Sequence, residues 1–527
     1  MRFSDPVSAP MEDEMRRSVG GIIPPSRDEL RRIADRWGFE LSDEEVSFYL
    51  GLIEGTLASY RRVGELAEPK PEVRYPRTPG KAPAAGENPW NAWYWRCSVK
   101  GAAEGKLAGK RIAVKDPINV AGVPTMAGSA IMEGFIPDTD ATVVERILDA
   151  GGEIIGKATC EDLSFSGGSI TSVPAPVKNP RAPEYSAGGS SSGSAALIAD
   201  GACDMALGAN QGGSIRVPAA LCGVVGLKPT YGLVPYTGIF PIENTLDHVG
   251  PICRTVADTA LLLEVIAGRD PLDPRQRAEG APAEYSRALT GDARGLTVGV
   301  VREGFGWDER AAETDEVVRQ AAGRFQEVGA RVREISIPMH RDGLHIYAPI
   351  LFDGAAAQMI RGNGFGTGWK GYYPTSTIDF YARSRKANAD SYSDLVKLVA
   401  LCGGYMLDQY NGHYYARAQN QARALVAAYD AALAEVDVLV MPTTAPEGKA
   451  MRMTPGPTPE QYIAETFRYH ANCCPFDATG HPALSLPCGE AGGLPVGLML
   501  IGKHFDEATT LRAAHALEPL VARRLPA

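Results

Sequence analysis

Residues 185–233 read YSAGGSSSGSAALIADGACDMALGANQGGSIRVPAALCGVVGLKPTYGL. The stretch holds two serine-bearing glycine clusters, GGSSSGS at 188–194 and GGSIR at 212–216. Between them, the small-residue run 194–202 reads as a helix and the apolar run 204–208 as a buried strand. Glycines let a backbone turn with positive φ and bring its N–H groups close to a ligand. A serine beside such a turn can face a carbonyl whose developing charge the same N–H groups receive. That is an acyl-transfer site in outline.

Outward from this stretch, short apolar strands alternate with helices. Strands are expected at 111–114, 153–157, 296–301, 331–337, 436–441, 483–486 and 496–501. Helices are expected at 141–150 and near 256–267, 316–328, 419–435 and 506–521. Such alternation implies an α/β domain around a largely buried mixed sheet. Residues 340–418 break the rhythm with aromatic- and glycine-rich segments (GNGFGTGWKGYY, LCGGYMLDQYNGHYY) and read as an inserted, mostly helical small domain. Toward the amino terminus, residues 1–25 read as a loose arm. Ser26 caps a helix closed by Gly38, and Ser42 with Glu45 forms a capping box that opens a second helix to about Tyr60. The proline-rich connector EPKPEVRYPRTPGKAPAAGENP, 68–89, then marks a boundary. The expected organisation is an N-terminal helical domain with linker over 1–87 and a catalytic domain over 88–527.

The 527 residues are 44% hydrophobic and 22% charged, with a net charge of −10, which suits a globular chain and argues against a nucleic-acid surface. Nine cysteines, at 97, 160, 203, 222, 253, 402, 473, 474 and 488, form no CxxC pair. No metal and no cofactor is therefore expected, and the odd count fits a reducing compartment. No apolar run of about 18 residues is present for a membrane span, and no basic-then-apolar leader opens the chain. A cytoplasmic location is the expectation, with neither nucleic acid nor membrane as partner.

Lys115 ends an apolar strand in KRIAVKDPINVAG. A lysine there can be an ordinary surface residue, but at the mouth of a buried sheet desolvation lowers its pKa and frees neutral amine to act as a base. Serine–lysine arrangements are a known variant of the hydrolase triad. The GSSSG run also matches a GxSxG nucleophile elbow centred on Ser191. That motif needs a strand just before it, whereas KNPRAPEYSA reads as proline-rich loop, and no histidine is an obvious partner. Neither a phosphate loop nor a dinucleotide fingerprint fits. Either glycine cluster alone could be a structural turn.

Taken together, AVKDPINVAG, GGSSSGSAA, GGSIRVPA and CGVVGLKPTYG, in that order, resemble the amidase signature family over roughly residues 90–520. More narrowly, ENPWNAWYW, VIAGRDPLDPRQ and FDATGHPALSLPCG look like bacterial amidases of nitrile degradation. The resemblance implies Ser214 as acylated nucleophile, Lys115 as base and Ser190, with a cis peptide, as the bridge between them. It implies an oxyanion hole from the backbone N–H groups of Gln211, Gly212, Gly213 and Ser214. It also implies an amide hydrolase for small aliphatic or aromatic primary amides, and a homodimer through residues 1–65. Anilides, ureas or carbamates are the alternative substrates. A glutamine-dependent amidotransferase subunit or a catalytically dead binding module are further readings. Two positions depart from the family pattern: Asn210 stands where an acidic residue is usual, losing a charge that could tie down Arg216, and Ser192 replaces a glycine. Phe352, Phe365, Tyr372 and Tyr373 are weighed as walls of the acyl pocket, against the simpler reading that they are core.

Overall fold

The computed structural model describes residues 21–84, 86–276, 282–308, 311–444, 451–453 and 456–521. Most of the amino-terminal arm, residues 1–20, lies outside them. Contacts divide the chain into Met1–Pro71 and Glu72–Ala527. Among its described residues the first unit holds two helices, Arg27–Trp37 and Asp43–Glu65. Both capping boxes form, since Ser26 and Ser42 each accept from the backbone N–H three residues on while Glu29 and Glu45 reach back. Gly38 closes the first helix with φ 72°, a left-handed conformation that glycine adopts without strain.

Among its described residues the second unit carries thirteen strands: β1 Trp93–Lys100, β2 Arg111–Lys115, β3 Glu153–Ala158, β4 Lys178–Asn179, β5 Ala182–Ser186, β6 Met205–Asn210, β7 Val225–Lys228, β8 His248–Cys253, β9 Thr297–Val301, β10 Arg331–Ile335, β11 Val438–Pro442, β12 Ala483–Ala491 and β13 Leu494–Ile501. Eleven form one mixed sheet in the order β1-β3-β2-β6-β8-β7-β12-β13-β11-β9-β10. The pairs β3–β2, β2–β6, β11–β9 and β9–β10 are parallel, and the remaining neighbours antiparallel. The expected α/β architecture is the one found. β4 and β5 pair in a separate hairpin, so the segment read as proline-rich loop before the first glycine cluster is partly extended. It still is no strand of the central sheet, as a nucleophile elbow would require.

Strand alternation explains how the sheet fills both faces. On β2, Ile112 and Val114 join the larger apolar core while Ala113 faces the smaller one; on β6, Met205, Leu207 and Ala209 do the former and Ala206 the latter. The smaller core is rich in alanine, which lets the helices Ser192–Asp200 and Arg216–Cys222 lie close against the strands. The first of these helices starts just after Ser190 and the second just after Ser214. The region 340–418 contains the helices Gly343–Ala355, Thr375–Ala387 and Asp394–Tyr410, with a π-helical turn at Ala356–Arg361.

Candidate active site

The parallel neighbours β2 and β6 end side by side, with Val114 opposite Leu207, and this brings Lys115 to the loop that follows Asn210. Lys115 Nζ donates to Ser190 Oγ at 2.7 Å and to the Ala209 carbonyl at 3.0 Å. The Gly189–Ser190 peptide is cis. Ser191 N donates to the Ser214 carbonyl at 3.1 Å, which ties the first glycine cluster to the second. Lys115, Ser190 and Ser214 are all buried. The three residues singled out from sequence thus converge on one strand end.

Lys115 has a hydroxyl and a carbonyl as its acceptors, so no ion pair holds its proton. Burial pushes the ammonium down to about 8, opposed only by more distant groups such as Cys160, Glu161 and Asp247. A fraction of neutral amine is therefore present at ordinary pH. Ser192 opens the helix Ser192–Asp200 in ordinary helical conformation, so a side chain in place of glycine costs no backbone strain there.

The loop from Gln211 to Ser214 is fixed from several sides. Gln211 Nε2 donates to Asp247 Oδ1 at 2.8 Å and to the Tyr236 hydroxyl at 3.0 Å. A Cβ on Gly212 would collide with the Tyr347 hydroxyl, and one on Gly213, at φ 148°, would lie 2.9 Å from Cys473 Cβ. Only glycine fits at both positions. Asn210 Oδ1 accepts from Ile215 N at 3.0 Å, while its amide donates to Asp477 Oδ1. Asp477 Oδ2 accepts from Arg216 Nη2 at 2.5 Å, and Arg216 Nη1 donates to the Cys473 carbonyl at 3.0 Å. Charge is therefore not lost from this network: Asp477, far along the chain, carries the carboxylate that position 210 lacks. The pair is fully buried, so each ion depends on the other for compensation.

Ser214 opens onto a cavity. Its walls include Phe165, Gln211, Gly212 and Ile242, then Tyr347, Leu351, Leu395 and Val399 from the region 340–418, and Thr466, Phe467 and His470. Of the four aromatic residues weighed from sequence, none lines it. Phe352 stacks on Phe467 from behind the wall, while Phe365 and Tyr372 border a different cavity. Helical periodicity accounts for the shift: Tyr347 and Leu351, four residues apart, face inward, and Phe352 is turned about 100° away. His470 has no sequence signal marking it. Its Nδ1–H donates to the Thr466 carbonyl at 2.6 Å rather than to a carboxylate, and burial pushes the ring down to about 4, so it stands neutral. Among the described residues the one group of three metal-capable side chains, Asp430, His481 and His504, does not line this cavity.

A family model described as Amidase matches residues 87–511. An enantioselective amidase of Rhodococcus rhodochrous is 45% identical over 505 residues, 94% of this chain and 96% of that protein. A glutamyl-tRNA(Gln) amidotransferase subunit from Halobacterium salinarum is 40% identical over 81% of this chain and 99% of its own length. Among solved structures, the peptide amidase of Stenotrophomonas maltophilia superposes with a TM-score of 0.66 at 32% identity, covering 80% of this chain and 85% of that one.

Proposed function

This chain belongs to the amidase family and is an amide hydrolase, and we propose that it works through a Ser214–Ser190–Lys115 relay on small aliphatic or aromatic primary amides. The observation that carries the reading is the 2.7 Å hydrogen bond from a buried lysine without a carboxylate partner to Ser190 Oγ. Neutral Lys115 accepts, through Ser190, the proton that Ser214 Oγ loses as it attacks the amide carbonyl. Backbone N–H groups of residues 211–214 receive the charge on the carbonyl oxygen. The proton returns through Ser190 to the amide nitrogen, because an amine leaves only when protonated. Water then attacks the acyl-enzyme by the reverse route, releasing the acid and restoring Ser214. The neutral His470 lacks the carboxylate that orients and charges a triad histidine, which favours the lysine as base.

The apolar walls Ile242, Leu351, Leu395 and Val399 suit an aliphatic or aromatic acyl group. A second reading, ammonia transfer to a partner protein as part of an amidotransferase, is favoured by the 40% identity to one component of such an enzyme. The broader match to the Rhodococcus amidase, 94% of this chain against 81%, weighs the other way. Ammonia release from acetamide, isobutyramide, benzamide and phenylacetamide by the purified single chain, with amine release from acetanilide and a phenyl carbamate alongside, separates these readings. Turnover of the primary amides supports the proposal. Cleavage of the anilide or carbamate alone keeps the relay and changes the substrate class, and activity only with a copurifying second chain supports the amidotransferase.

We further infer that residues 1–87 form a helical domain with its linker, that 340–418 is an inserted small domain, and that the protein is a cytoplasmic homodimer associating through residues 1–65. Trp37, Phe48, Leu52 and Tyr60 are exposed apolar side chains in that segment, and such faces are ordinarily covered. Light scattering of a chain lacking residues 1–65 should report a monomer; a dimer would overturn the assignment. No helix among the described residues is long and apolar enough to cross a membrane.

A further inference from the structure

We propose that Asp430, His481 and His504 form a binding site for one zinc-class divalent ion, remote from the Ser214 cavity. The three lie far apart in sequence with no ligand spacing to betray them, and the fold gathers them. β12 and β13 pair with Ala483 opposite Ile501, so His481, just before β12, and His504, just after β13, flank one end of the same hairpin. Asp430 reaches them from the last turns of the helix His413–Glu435. One donor atom from each residue lies within 4.8 Å of the others.

The distances suit a tetrahedral ion. Two ligands about 2.1 Å from such a metal stand about 3.4 Å apart. Asp430 Oδ1 is 3.1 Å from His481 Nε2 and 3.8 Å from His504 Nδ1, so each needs to shift by only a few tenths of an ångström. Thr479 supplies the outer contacts that orient ligating imidazoles. Its carbonyl accepts from His504 Nε2 at 2.9 Å; a carbonyl can only accept, so Nε2 carries the hydrogen and Nδ1 is the atom that a neutral ring offers to a metal. Its hydroxyl lies 2.9 Å from His481 Nδ1 and serves either tautomer of that ring, including the one with a lone pair at Nε2. The two ring centroids lie 3.9 Å apart with the planes tilted by 35°. His481 is fully buried, His504 partly and Asp430 half exposed, and an adjoining cleft lined by His504 and Thr479 gives an ion a route in.

Two imidazoles and one carboxylate favour Zn²⁺, Co²⁺, Ni²⁺ or Cu²⁺ over Mg²⁺ or Ca²⁺. Bound there, the ion joins the helix His413–Glu435 to the two ends of the hairpin, and so acts as a clip rather than as a reagent. The test is a Co²⁺ titration of the metal-free full-length protein, read by the visible absorption of four-coordinate cobalt, with Zn²⁺-dependent melting as the second readout. The expected result is one Co²⁺ per chain and a Tm raised by Zn²⁺. His504→Ala and Asp430→Asn should each weaken Co²⁺ binding about tenfold or more and abolish the Tm shift, while ammonia release without metal stays at the wild-type rate and reports intact folding. No saturable Co²⁺ binding, or binding equally tight in both variants, overturns the proposal.

Discussion

Lys115 and Lys157 stand on neighbouring parallel strands, equally buried, and differ in what faces them. Lys157 Nζ lies 3.4 Å from Asp116 Oδ1 and donates to the Asp116 carbonyl and the Thr125 hydroxyl. Burial pulls its pKa down while Asp116 opposes that pull. Lys115 meets a serine hydroxyl and a carbonyl, with no carboxylate in contact. Burial lowers both lysines; at Lys157 the Asp116 carboxylate opposes that pull from within contact, whereas at Lys115 only more distant groups do. The β2–β3 side of the sheet end is structural and the β2–β6 side is the proposed reaction centre.

The two lysines should differ most in activity. Ser214→Ala and Lys115→Met should each lower kcat/KM by about 10⁴-fold or more, measured as ammonia release. Lys157→Met, in whatever fraction folds, should retain turnover well above either. Substantial activity in Lys115→Met would remove the lysine from its role.

Stability should separate the two lysines in sign. Lys157→Met leaves Asp116 buried without its counter-ion and should cost about 3–5 kcal/mol in urea unfolding. Lys115→Met removes a charge that burial penalises, and the Ala209 carbonyl keeps the Ser191 hydroxyl at 3.1 Å as donor. The folded pKa of about 8 lies below the ordinary 10.5, so between these values the unfolded chain binds a proton that the folded chain lacks. Stability contributed by Lys115 thus rises with pH from 8 to 10.5, and below 8 the wild type bears the whole penalty. At pH 7 the Met variant should be more stable by on the order of 1–3 kcal/mol, with the gain fading toward pH 10.5. Destabilisation at pH 7 would contradict the reading.

The same ionisation should shape the rate. The acylation rate should fall about tenfold per pH unit below the Lys115 pKa as the amine becomes protonated, and a profile flat down to about pH 5 would exclude a lysine base. A smaller effect is expected at the loop. Asn210→Asp would set a second carboxylate against Asp477 Oδ1, loosen Arg216 and lower kcat, with a stability loss of about 1–3 kcal/mol; an unchanged Tm would show that the carboxylates share the arginine.

The legible and illegible parts of the site divide by sequence distance. Lys115, Ser190 and Ser214 sit on local motifs, where glycine and strand-end chemistry leave a short-range signature. Asp477 meets Asn210 across 267 residues, and the cavity walls come from residues 165, 242, 347–399 and 466–470. No local pattern distinguishes Leu351 facing a cavity from Leu351 in core, because both bury an apolar face. Most long strands and helices are readable from periodicity, whereas β8 is not: Gly250 and Pro251 interrupt it, yet it lies in mid-sheet with Pro251 opposite Leu207. β1, at the sheet edge, is half-exposed and carries Trp, Arg and Ser in place of an apolar run.

The relay is open to intact-protein and peptide mass spectrometry on samples quenched during benzamide turnover. A benzoyl group is expected on Ser214 in the wild type and none in Lys115→Met. A benzoyl group on another residue, or acylation of Ser214 at the wild-type rate without Lys115, would contradict it.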